Sequence, residues 1–281
     1  MDVQTIPDAS AGGAPTAEPV APEVRITLPR KRAAAARIER AHDEPAYVLH
    51  AHPWKETSLI LDVFSRHHGR VALVAKGAKR PTSQLRTVLL GFQPFTASWS
   101  GRGEVRTLTR AEWSGGVAPL AGLPLLCGFY FNELLVRLLA REDAHEALFD
   151  AYHAAIERLG ADPNGLATGV EPMLRRFEIS LLRELGYLPP LDCESQSDAL
   201  VRAGAAYRVD PQLGVLPHQP GQDGGAVSIY RGDHLLAIEA GDWSLSGAAR
   251  AAKTLMRELL HYHLGTQPLR TRQLLIDLHQ L

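Results

Sequence analysis

Short apolar runs recur between residues 46 and 113, and each is bounded by Gly, Pro or a polar cluster. Runs of this length, rich in Val, Ile and Leu, predict β-strands. The five predicted strands span Ala46–Ala51, Ser58–Phe64, Arg70–Ala75, Phe92–Trp99 and Glu104–Trp113. Five strands within about seventy residues favour a small closed or nearly closed barrel, and the five-stranded oligonucleotide-binding (OB) fold is the commonest barrel of that size.

After Pro119 the apolar positions repeat with the helical period of 3.6. The segment Leu123–Leu139 is strongly apolar and predicts a buried helix, and Ala144–Leu159 predicts an amphipathic one. A third helix is predicted over Pro172–Leu185, because proline favours a first helical turn and Gly186 provides a stop. The chain therefore changes from strands to helices near residue 116.

The helical pattern is interrupted between about residues 187 and 232, where Pro, Gly, Asp and Gln are frequent. Strand-like pieces at Tyr207–Val209 and Val227–Tyr230 predict a loop-rich insertion that contains a hairpin. Two helices are predicted after it, near Ala248–His263 and Thr271–Gln280. The expected fold class is α+β, with an N-terminal five-stranded OB-fold barrel followed by an α-helical domain.

The first 44 residues are rich in Ala and Pro and contain few large apolar side chains. Such a segment cannot bury enough surface to offset its ordering entropy, so we predict a disordered tail. Its basic stretch at Arg30–Arg32 would allow a helix on an anionic partner, although a solvated tail is favoured. The predicted organisation is a tail at 1–44, a barrel at 45–115 and a helical domain at 116–281.

Charge is distributed unevenly along the chain. The formal net charge is −1, yet residues 45–110 hold ten Lys or Arg against three Asp or Glu, a net of +7. Because electrostatic fields act locally, the barrel segment is expected to bind a polyanion. The part outside residues 25–110 has a net charge of −11.

Other bulk features point to the cytoplasm. The two cysteines, Cys127 and Cys193, lie far apart and suggest no disulfide framework, which fits a reducing compartment. No apolar run is long enough for a membrane span, and the N-terminus lacks the pattern of a secretory signal. We expect a cytoplasmic protein with no membrane partner.

A cationic loop follows the third predicted strand. Residues 76–81 read Lys-Gly-Ala-Lys-Arg-Pro and contain three cations without an acid. In the last predicted strand, Arg106 and Arg110 alternate with Val105, Thr107 and Thr109, which predicts one cationic face. The predicted DNA-contacting residues are Lys76, Lys79, Arg80, Arg70, Arg86, Arg66, Arg106 and Arg110. The alternative is a solvated loop beside exposed cations on the barrel surface.

The aromatic residues of the barrel allow two interpretations. Trp99, Trp113, Phe92 and Phe95 have the chemistry to stack on bases, as aromatic side chains do in proteins that bind single strands. Aromatic residues in a small barrel more often belong to the core, and we favour that interpretation for these four.

Catalytic signatures are missing from the sequence. It contains no nucleophile elbow, Walker loop, zinc-protease motif or dinucleotide fingerprint. The pairs His50/His52, His67/His68 and His261/His263 lack carboxylates that would complete a ligand set, so solvated or core histidines are expected. We expect a protein that is not an enzyme and needs no cofactor. A histidine-based hydrolase or nuclease is a rival hypothesis.

Four segments in register resemble the bacterial recombination mediator family RecO. The first is the loop at Lys76–Pro81, and the second is Tyr130-Phe131-Asn132-Glu133-Leu134-Leu135 in the first long helix. The third combines Arg176-Phe177-Glu178 with Leu185-Gly186-Tyr187 and Pro189, and the last runs from Leu264-Gly265 to Pro268-Leu269-Arg270-Thr271-Arg272. The resemblance runs from about residue 45 to the C-terminus, and the first 44 residues have no counterpart in it.

The resemblance implies a role in DNA repair and homologous recombination. It implies binding to single- and double-stranded DNA, annealing of complementary strands, and contacts with the single-stranded DNA-binding protein SSB and with RecR that help to load RecA. A rival hypothesis is a protein–protein adaptor in which the acidic helical part carries the function and DNA contact is incidental.

One departure from the family concerns a metal. Many RecO relatives hold zinc with two Cys-x-x-Cys pairs after the Gly-Tyr-x-Pro segment, and such a site needs four soft or imidazole ligands. Here Cys193 stands alone and Gln196 occupies the position three residues later. His218 and His234 are candidate replacements, but we expect no metal and predict a hairpin held by packing.

The resemblance also implies an apolar pocket, rimmed by cations, for the acidic C-terminal tail of SSB. Arg137 and Arg141 are spaced one helical turn apart and would share a face. Phe149 and Tyr152 would supply the apolar wall. The alternative is ordinary helix packing with solvated arginines.

Overall fold

The computed structural model describes residues 39–162, 169–219, 221, 228–265, 267–271 and 273. Its N-terminal region contains five strands: β1 (Glu39–Trp54), β2 (Ser58–Ser65), β3 (Gly69–Ala75), β4 (Phe95–Gly101) and β5 (Val105–Trp113). They close into a barrel in the order β1-β2-β3-β5-β4, in which β3 and β5 run parallel. The predicted five-stranded OB-fold barrel is confirmed. A one-turn helix, α1 (Leu85–Val88), lies between β3 and β4 and was not predicted.

Strand β1 begins earlier than the sequence pattern predicts. Its first part, Glu39–Ala46, pairs with β4 although it lies mostly within the predicted tail. A bulge between Ala41 and Glu44 breaks the alternation, and Asp43 adopts a left-handed φ of 50° there. The Asp43 amide donates to Ser98 Oγ at 3.0 Å. The sequence around the bulge is polar, so its pattern does not predict a strand. Pairing with β4, rather than its own hydrophobicity, holds this part of β1 in the sheet.

The barrel has its own apolar core. Large side chains from facing strands fill it, and Leu61, Leu73, Phe95 and Trp99 are essentially inaccessible to solvent. At about 25 cal/mol per Å² of apolar surface, a fully buried side chain of this size stabilises the fold by roughly 2 kcal/mol. The short apolar runs from which the strands were predicted contribute much of this interior.

The rest of the chain is mostly helical. The longer helices are α2 (Gly122–Leu138), α3 (Glu146–Ala161), α4 (Glu171–Glu184), α5 (Gly232–Ala240) and α6 (Ala248–Leu264). The helix α5 was not predicted, and the helix predicted at Thr271–Gln280 lies outside the described residues except for residues 271 and 273. No helix in the described part of the chain is long and apolar enough to cross a membrane.

A second core joins the barrel to the helices. The side chains of Tyr47, Leu49 and Phe64 project outward from the barrel and pack among buried residues of α2 and α3. The rings of Tyr47 and Tyr152 meet edge to face at 5.0 Å. The described barrel and helical residues therefore share a continuous apolar core on one side of the barrel.

The insertion contains a three-stranded sheet in the order β7-β6-β8, formed by β6 (Ala206–Asp210), β7 (Gly214–Pro217) and β8 (Tyr230–Arg231). The strand β6 contains the predicted piece Tyr207–Val209, and β8 overlaps the second predicted piece at Tyr230, but β7, which forms the hairpin with β6, was not predicted. Tyr207 and Val215 are fully buried and anchor this sheet on the helices.

Candidate nucleic-acid interface

The two ends of the barrel carry different loops. Strands β1, β3 and β5 run in one direction and β2 and β4 in the other, so their connections divide between the ends. One end, called the open end below, carries residues 55–57, residues 76–94 and the exit from β5. The other, called the docked end, carries residues 66–68 and 102–104 and the starts of β3 and β5.

The loop after β3 at the open end is organised by a glycine turn. Gly77 has a φ of 71°, a left-handed conformation that glycine adopts without strain. The Arg80 side chain lies over it, because a Cβ on Gly77 would be 3.6 Å from Arg80 Cδ. The Lys79 amide donates to the Thr57 carbonyl at 2.8 Å, which joins this loop to the β1–β2 turn. The turn that carries Lys55 is thereby held beside the cationic loop.

Five cations of these segments form the open-end cluster: Lys55, Lys76, Lys79, Arg80 and Arg86. All five are exposed, and none makes a salt bridge within the described part of the chain. Four of them were predicted DNA contacts, whereas Lys55 was missed because the adjacent Glu56 makes its turn neutral on average. Its position in a turn between two strands was the signal that could have identified it. Unpaired exposed cations remain available to phosphates.

Arg66 has a structural role at the docked end. Its guanidinium donates to both carboxylate oxygens of Asp150 at 3.0 and 2.9 Å and lies 2.9 Å from Glu146. The hydrogen bond from Arg66 lowers the pKa of Asp150 and raises that of Arg66. This fork joins the β2–β3 turn to α3. We therefore remove Arg66 from the predicted phosphate contacts.

Arg70 is also engaged within the protein. Its Nη1 donates to the carbonyls of Val136 and Leu139 at the end of α2, the latter at 3.1 Å. Its Nε lies 3.4 Å from Asp62 Oδ1. Since carbonyls at a helix end lack intrahelical partners, Arg70 satisfies acceptors that burial would otherwise leave unpaired. The predicted phosphate contact of Arg70 is replaced by this capping role.

The predicted cationic face of the last strand is wrong. Arg106 has a side-chain exposure of 4%, and it pairs with Glu39 and with Glu142 at 2.9 Å. Arg110 is exposed but pairs with Glu112 at 2.6 Å. The register of β4 and β5 shifts between Ser98 and Trp99, which breaks the alternation between positions 106 and 110. Because of this bulge the two arginines lie in different environments.

The predicted stacking aromatics are divided by burial. Phe92, Phe95 and Trp99 belong to the cores, in agreement with the favoured interpretation. Trp113 differs, because 58% of its surface is exposed at the end of β5. Trp54 is also exposed, at the end of β1. Two tryptophans are thus accessible at the open end.

The four residues predicted to form the tail pocket do not form one. Phe149 and Tyr152 are buried against Tyr47 in the core between barrel and helices. Helix α2 ends at Leu138, so Arg141 lies beyond it and pairs with Asp62 at 3.2 Å. The predicted shared face of Arg137 and Arg141 therefore does not exist.

A different cleft has an apolar wall and a charged rim. It has a volume of about 390 Å³ and lies between α2, α4, α6 and residues 264, 265 and 267–269. Its wall includes Leu174, Leu260 and Leu269, and its cations are Arg175, Lys253 and Arg257. Lys253 lies 2.5 Å from Glu171, whereas Arg257 is exposed and makes no salt bridge among the described residues.

A buried carboxyl group lines this cleft. Glu178 accepts a hydrogen bond from Tyr130 Oη at 2.5 Å and lies 2.8 Å from Arg175. Burial raises the pKa of Glu178 to about 7, since Arg175 and Tyr130 only partly offset its desolvation. The net charge at this side of the cleft therefore depends on pH in the neutral range.

Comparison with known proteins supports the resemblance. Residues 40–117 match the family model for the N-terminal domain of recombination protein O, and residues 122–273 match that for its C-terminal domain. The chain belongs to the RecO family. Proteins named DNA repair protein RecO are 54% identical in Polynucleobacter asymbioticus, over 86% of this chain and 98% of that one, and 52% identical in Ralstonia nicotianae, over 90% and 91%.

A relative of the same name in Burkholderia pseudomallei is 47% identical over 100% of this chain and 98% of its own length. The expectation that the first 44 residues have no counterpart in the family is therefore wrong for this relative. The five-stranded barrel is also consistent with the family, since the N-terminal domain of the family is an OB-fold.

The RecO motif on α2 has a structural explanation. Asn132 is buried, donates to the Leu49 carbonyl at 3.0 Å and accepts from Tyr152 Oη at 2.6 Å, so it connects α2 to β1 and α3. Glu133 accepts from the Thr271 amide and hydroxyl, and Arg137 donates to the Pro268 carbonyl at 3.1 Å. These two side chains clamp the Pro268–Thr271 motif, which gives Arg137 a structural role.

The four-cysteine zinc site of many RecO relatives does not fit this chain. Cys193 pairs through its backbone with Leu200, and the Ser195 hydroxyl accepts from the Val215 amide at 2.8 Å. His234 contacts the Ser246 carbonyl at 3.2 Å. Within the described ranges, no group of three His, Cys, Asp or Glu side chains could hold a metal ion. Hydrogen bonds and apolar packing hold the insertion together.

Proposed function

We propose that this chain acts in DNA repair and recombination by binding single- and double-stranded DNA through the open-end cluster and by annealing complementary strands. The observation that carries this proposal is the grouping of Lys55, Lys76, Lys79, Arg80 and Arg86 at one end of the barrel, exposed and without salt bridges in the described structure. Membership of the RecO family supports the same role.

Annealing in this proposal requires no covalent chemistry. Two complementary strands repel each other through their phosphates, and cations that shield the phosphates lower this repulsion. Binding to the cluster releases condensed counterions, so affinity falls as salt rises. Five contacts to a single strand predict a slope of roughly −3.5 in a plot of log K against log salt, at about −0.7 per contact. The protein acts as a binding protein rather than an enzyme.

Charge reversal tests the proposal. The variant with Lys76→Glu, Lys79→Glu and Arg80→Glu should lose at least about a hundredfold in affinity for a labelled oligonucleotide at low salt, because three attractive contacts become repulsive. The matched control reverses three exposed cations of the helical domain, Arg158, Arg202 and Arg250, and so makes the same change in net charge. Equal binding by the triple variant and the parent protein would overturn the proposal in favour of the adaptor hypothesis.

We also propose that the cleft between α2, α4 and α6 binds the acidic C-terminal tail of SSB. Its apolar wall fits the apolar end of that tail. Arg257, which is exposed and makes no salt bridge in the described structure, would meet the tail carboxylates first, whereas Arg175 and Lys253 are already paired with Glu178 and Glu171. Arg257→Glu should weaken binding of a tail peptide by about tenfold, as expected for reversal of an exposed interfacial cation. The control is Arg250→Glu, which lies about two helical turns earlier on α6 and does not line the cleft.

The raised pKa of Glu178 allows the proposed peptide binding in the cleft between α2, α4 and α6 to be tested through its pH dependence. Below about pH 7 Glu178 is protonated, and the charge of Arg175 is then not compensated. Peptide affinity should therefore decrease a few-fold as the pH rises from about 6 to about 8. Glu178→Gln, which stays neutral, should remove this decrease. Retention of the full pH dependence in Glu178→Gln would assign that dependence to a group other than Glu178.

Contact with RecR and help in loading RecA complete the proposed role and rest on family membership alone. Co-sedimentation of the protein with RecR, and RecA assembly on SSB-coated strands, would test them. Failure of these two assays would restrict the proposed role to annealing.

A further inference from the structure

An uncharged groove opens beside α1, the helix that carries Arg86 of the open-end cluster. It has a volume of about 850 Å³, and its walls are formed by α1, the segment that precedes β4, the end of β5, the following linker and α2. Three large apolar side chains of this groove remain exposed: Leu90 at 48%, Trp113 at 58% and Phe129 at 47%. Exposed apolar surface of this kind, when grouped, marks an interaction site.

The rings of the groove are held in place by local structure. A Cβ on Gly116 would lie 2.9 Å from the Trp113 indole, so the missing side chain leaves room for that ring against the backbone. A Cβ on Gly128 would lie 2.8 Å from the Phe92 ring in the same way. Phe92 has a φ of 63°, which is rare for a bulky residue, and its ring supports Phe129 edge to face at 5.2 Å. Strained backbone of this kind is concentrated at functional sites.

The charges around the groove indicate its ligand. None of the residues that line the groove is ionisable. The helix α1 connects the groove to the open-end cluster, because Arg86 belongs to the cluster and the next two residues, Thr87 and Val88, line the groove. A polymer that crosses from the cluster to the groove would thus meet phosphate-binding cations first and a neutral aromatic surface next. Single-stranded nucleic acid has this combination of anionic backbone and flat apolar bases.

We propose that the groove binds unstacked bases of single-stranded nucleic acid, with Trp113 as the stacking platform and Phe129 as the facing wall. This inference rests on the proposed binding of DNA by the open-end cluster and deepens it. Bases in a duplex are stacked and paired, so they cannot enter the groove without melting. The groove therefore gives the protein a preference for single strands that phosphate contacts alone cannot provide.

The test compares a thymine oligonucleotide of about 30 residues with a blunt duplex of equal length, using the full chain. Trp113→Ala should lower affinity for the single strand by roughly tenfold, as the loss of one stacked base predicts. Affinity for the duplex should change less than about twofold, and the salt slope should stay the same because no phosphate contact is removed. The control is Tyr262→Ala, which removes another exposed aromatic ring, 48% exposed, from α6.

Two further arms separate stacking from other effects. Trp113→Phe should retain most of the affinity, and Trp113→Leu should lose it, because leucine is apolar but offers no ring. On an abasic oligonucleotide, Trp113→Ala and the parent protein should bind equally. If Trp113→Ala binds thymine oligonucleotides as well as the parent, the inference is wrong and the groove belongs to an apolar protein partner. Equal loss on single strand and duplex would also overturn it. Absence of any DNA binding by the parent protein would instead overturn the proposed function.

Discussion

The open and docked ends of the barrel contain the same kinds of residue and use them differently. At the open end Lys76, Lys79 and Arg86 are exposed and make no salt bridge in the described structure. At the docked end Arg66 and Arg106 each bind acidic side chains from other elements. A count of cations along the sequence treats both ends alike, so it overestimates the surface available to phosphates.

The difference between the ends follows from where acceptors are located. The docked end faces α2, α3 and the segment between them, which supply Glu142, Glu146, Asp150 and two backbone carbonyls. The described contacts of the loop at residues 76–80 are instead backbone hydrogen bonds such as Arg80 N to Gly77 O. An arginine with acceptors already in place gains little from a phosphate, because the exchange would leave its partners uncompensated. The proposed DNA contact is therefore limited to the open end.

The largest expected effect on stability is at Arg106. Arg106→Ala should lower the free energy of unfolding by about 2 kcal/mol, since it removes a buried guanidinium that joins β1, β5 and residue 142. DNA affinity of the folded variant should stay within about twofold of the parent. Urea unfolding and an oligonucleotide titration measure the two quantities. The control is Arg102→Ala in the neighbouring turn, where the residue is exposed. A large loss of affinity without a loss of stability would place Arg106 in the interface.

Arg70 should show a smaller effect of the same type. Arg70→Met keeps the aliphatic stem but leaves the carbonyls of Val136 and Leu139 without this donor, so stability should fall by about 1.5 kcal/mol. Arg86→Met is the matched variant at the open end, and its unfolding should shift by less than about 0.5 kcal/mol. Thermal unfolding of both variants tests the pair. Similar destabilisation by the two substitutions would contradict the division between the ends.

Local patterns in the sequence were sufficient to predict the barrel. Strand positions follow from short apolar runs such as Ser58–Phe64, in which Leu61 and Val63 are both fully buried. The loop at Lys76–Pro81 was predicted for the same reason, because a glycine turn and neighbouring residues define it. Features that depend on a few adjacent residues can be read from one sequence.

Pairing between distant residues could not be predicted in this way. Arg66 and Asp150 are 84 positions apart, and Arg106 and Glu39 are 67 positions apart. Their contacts depend on how α3 and β1 pack, which no local pattern specifies. The cleft between α2, α4 and α6 was missed for the same reason, because these helices contribute to it from three separate parts of the chain. The bulge opposite Ser98 likewise separated Arg106, which is buried, from Arg110, which is exposed, although both were expected on one cationic face.

A single substitution in the open-end cluster should act on binding alone. Lys79→Ala should make the salt slope for single strands less steep by roughly 0.7, the value expected for one phosphate contact. Arg110→Ala is the matched control, because Arg110 is exposed but paired with Glu112. Its slope should equal that of the parent. Salt titrations of the three proteins decide this, and an equal change in both variants would show that pairing does not exclude Arg110 from DNA.

The smallest effect is expected from a test of Arg66. It separates two explanations for a lack of DNA contact at Arg66: its ion pairs with Glu146 and Asp150, or its position at the docked end. The double variant Glu146→Gln and Asp150→Asn removes both of its acidic partners and should cost less than about 1 kcal/mol of stability, since these ion pairs are largely exposed. If pairing is decisive, affinity for a thymine oligonucleotide of about 30 residues should rise about twofold and the slope should steepen by up to roughly 0.7. The control Asp192→Asn and Asp198→Asn makes the same change in net charge on the insertion. An increase no larger than that of the control would mean that position at the docked end, rather than pairing, excludes Arg66 from the bound strand.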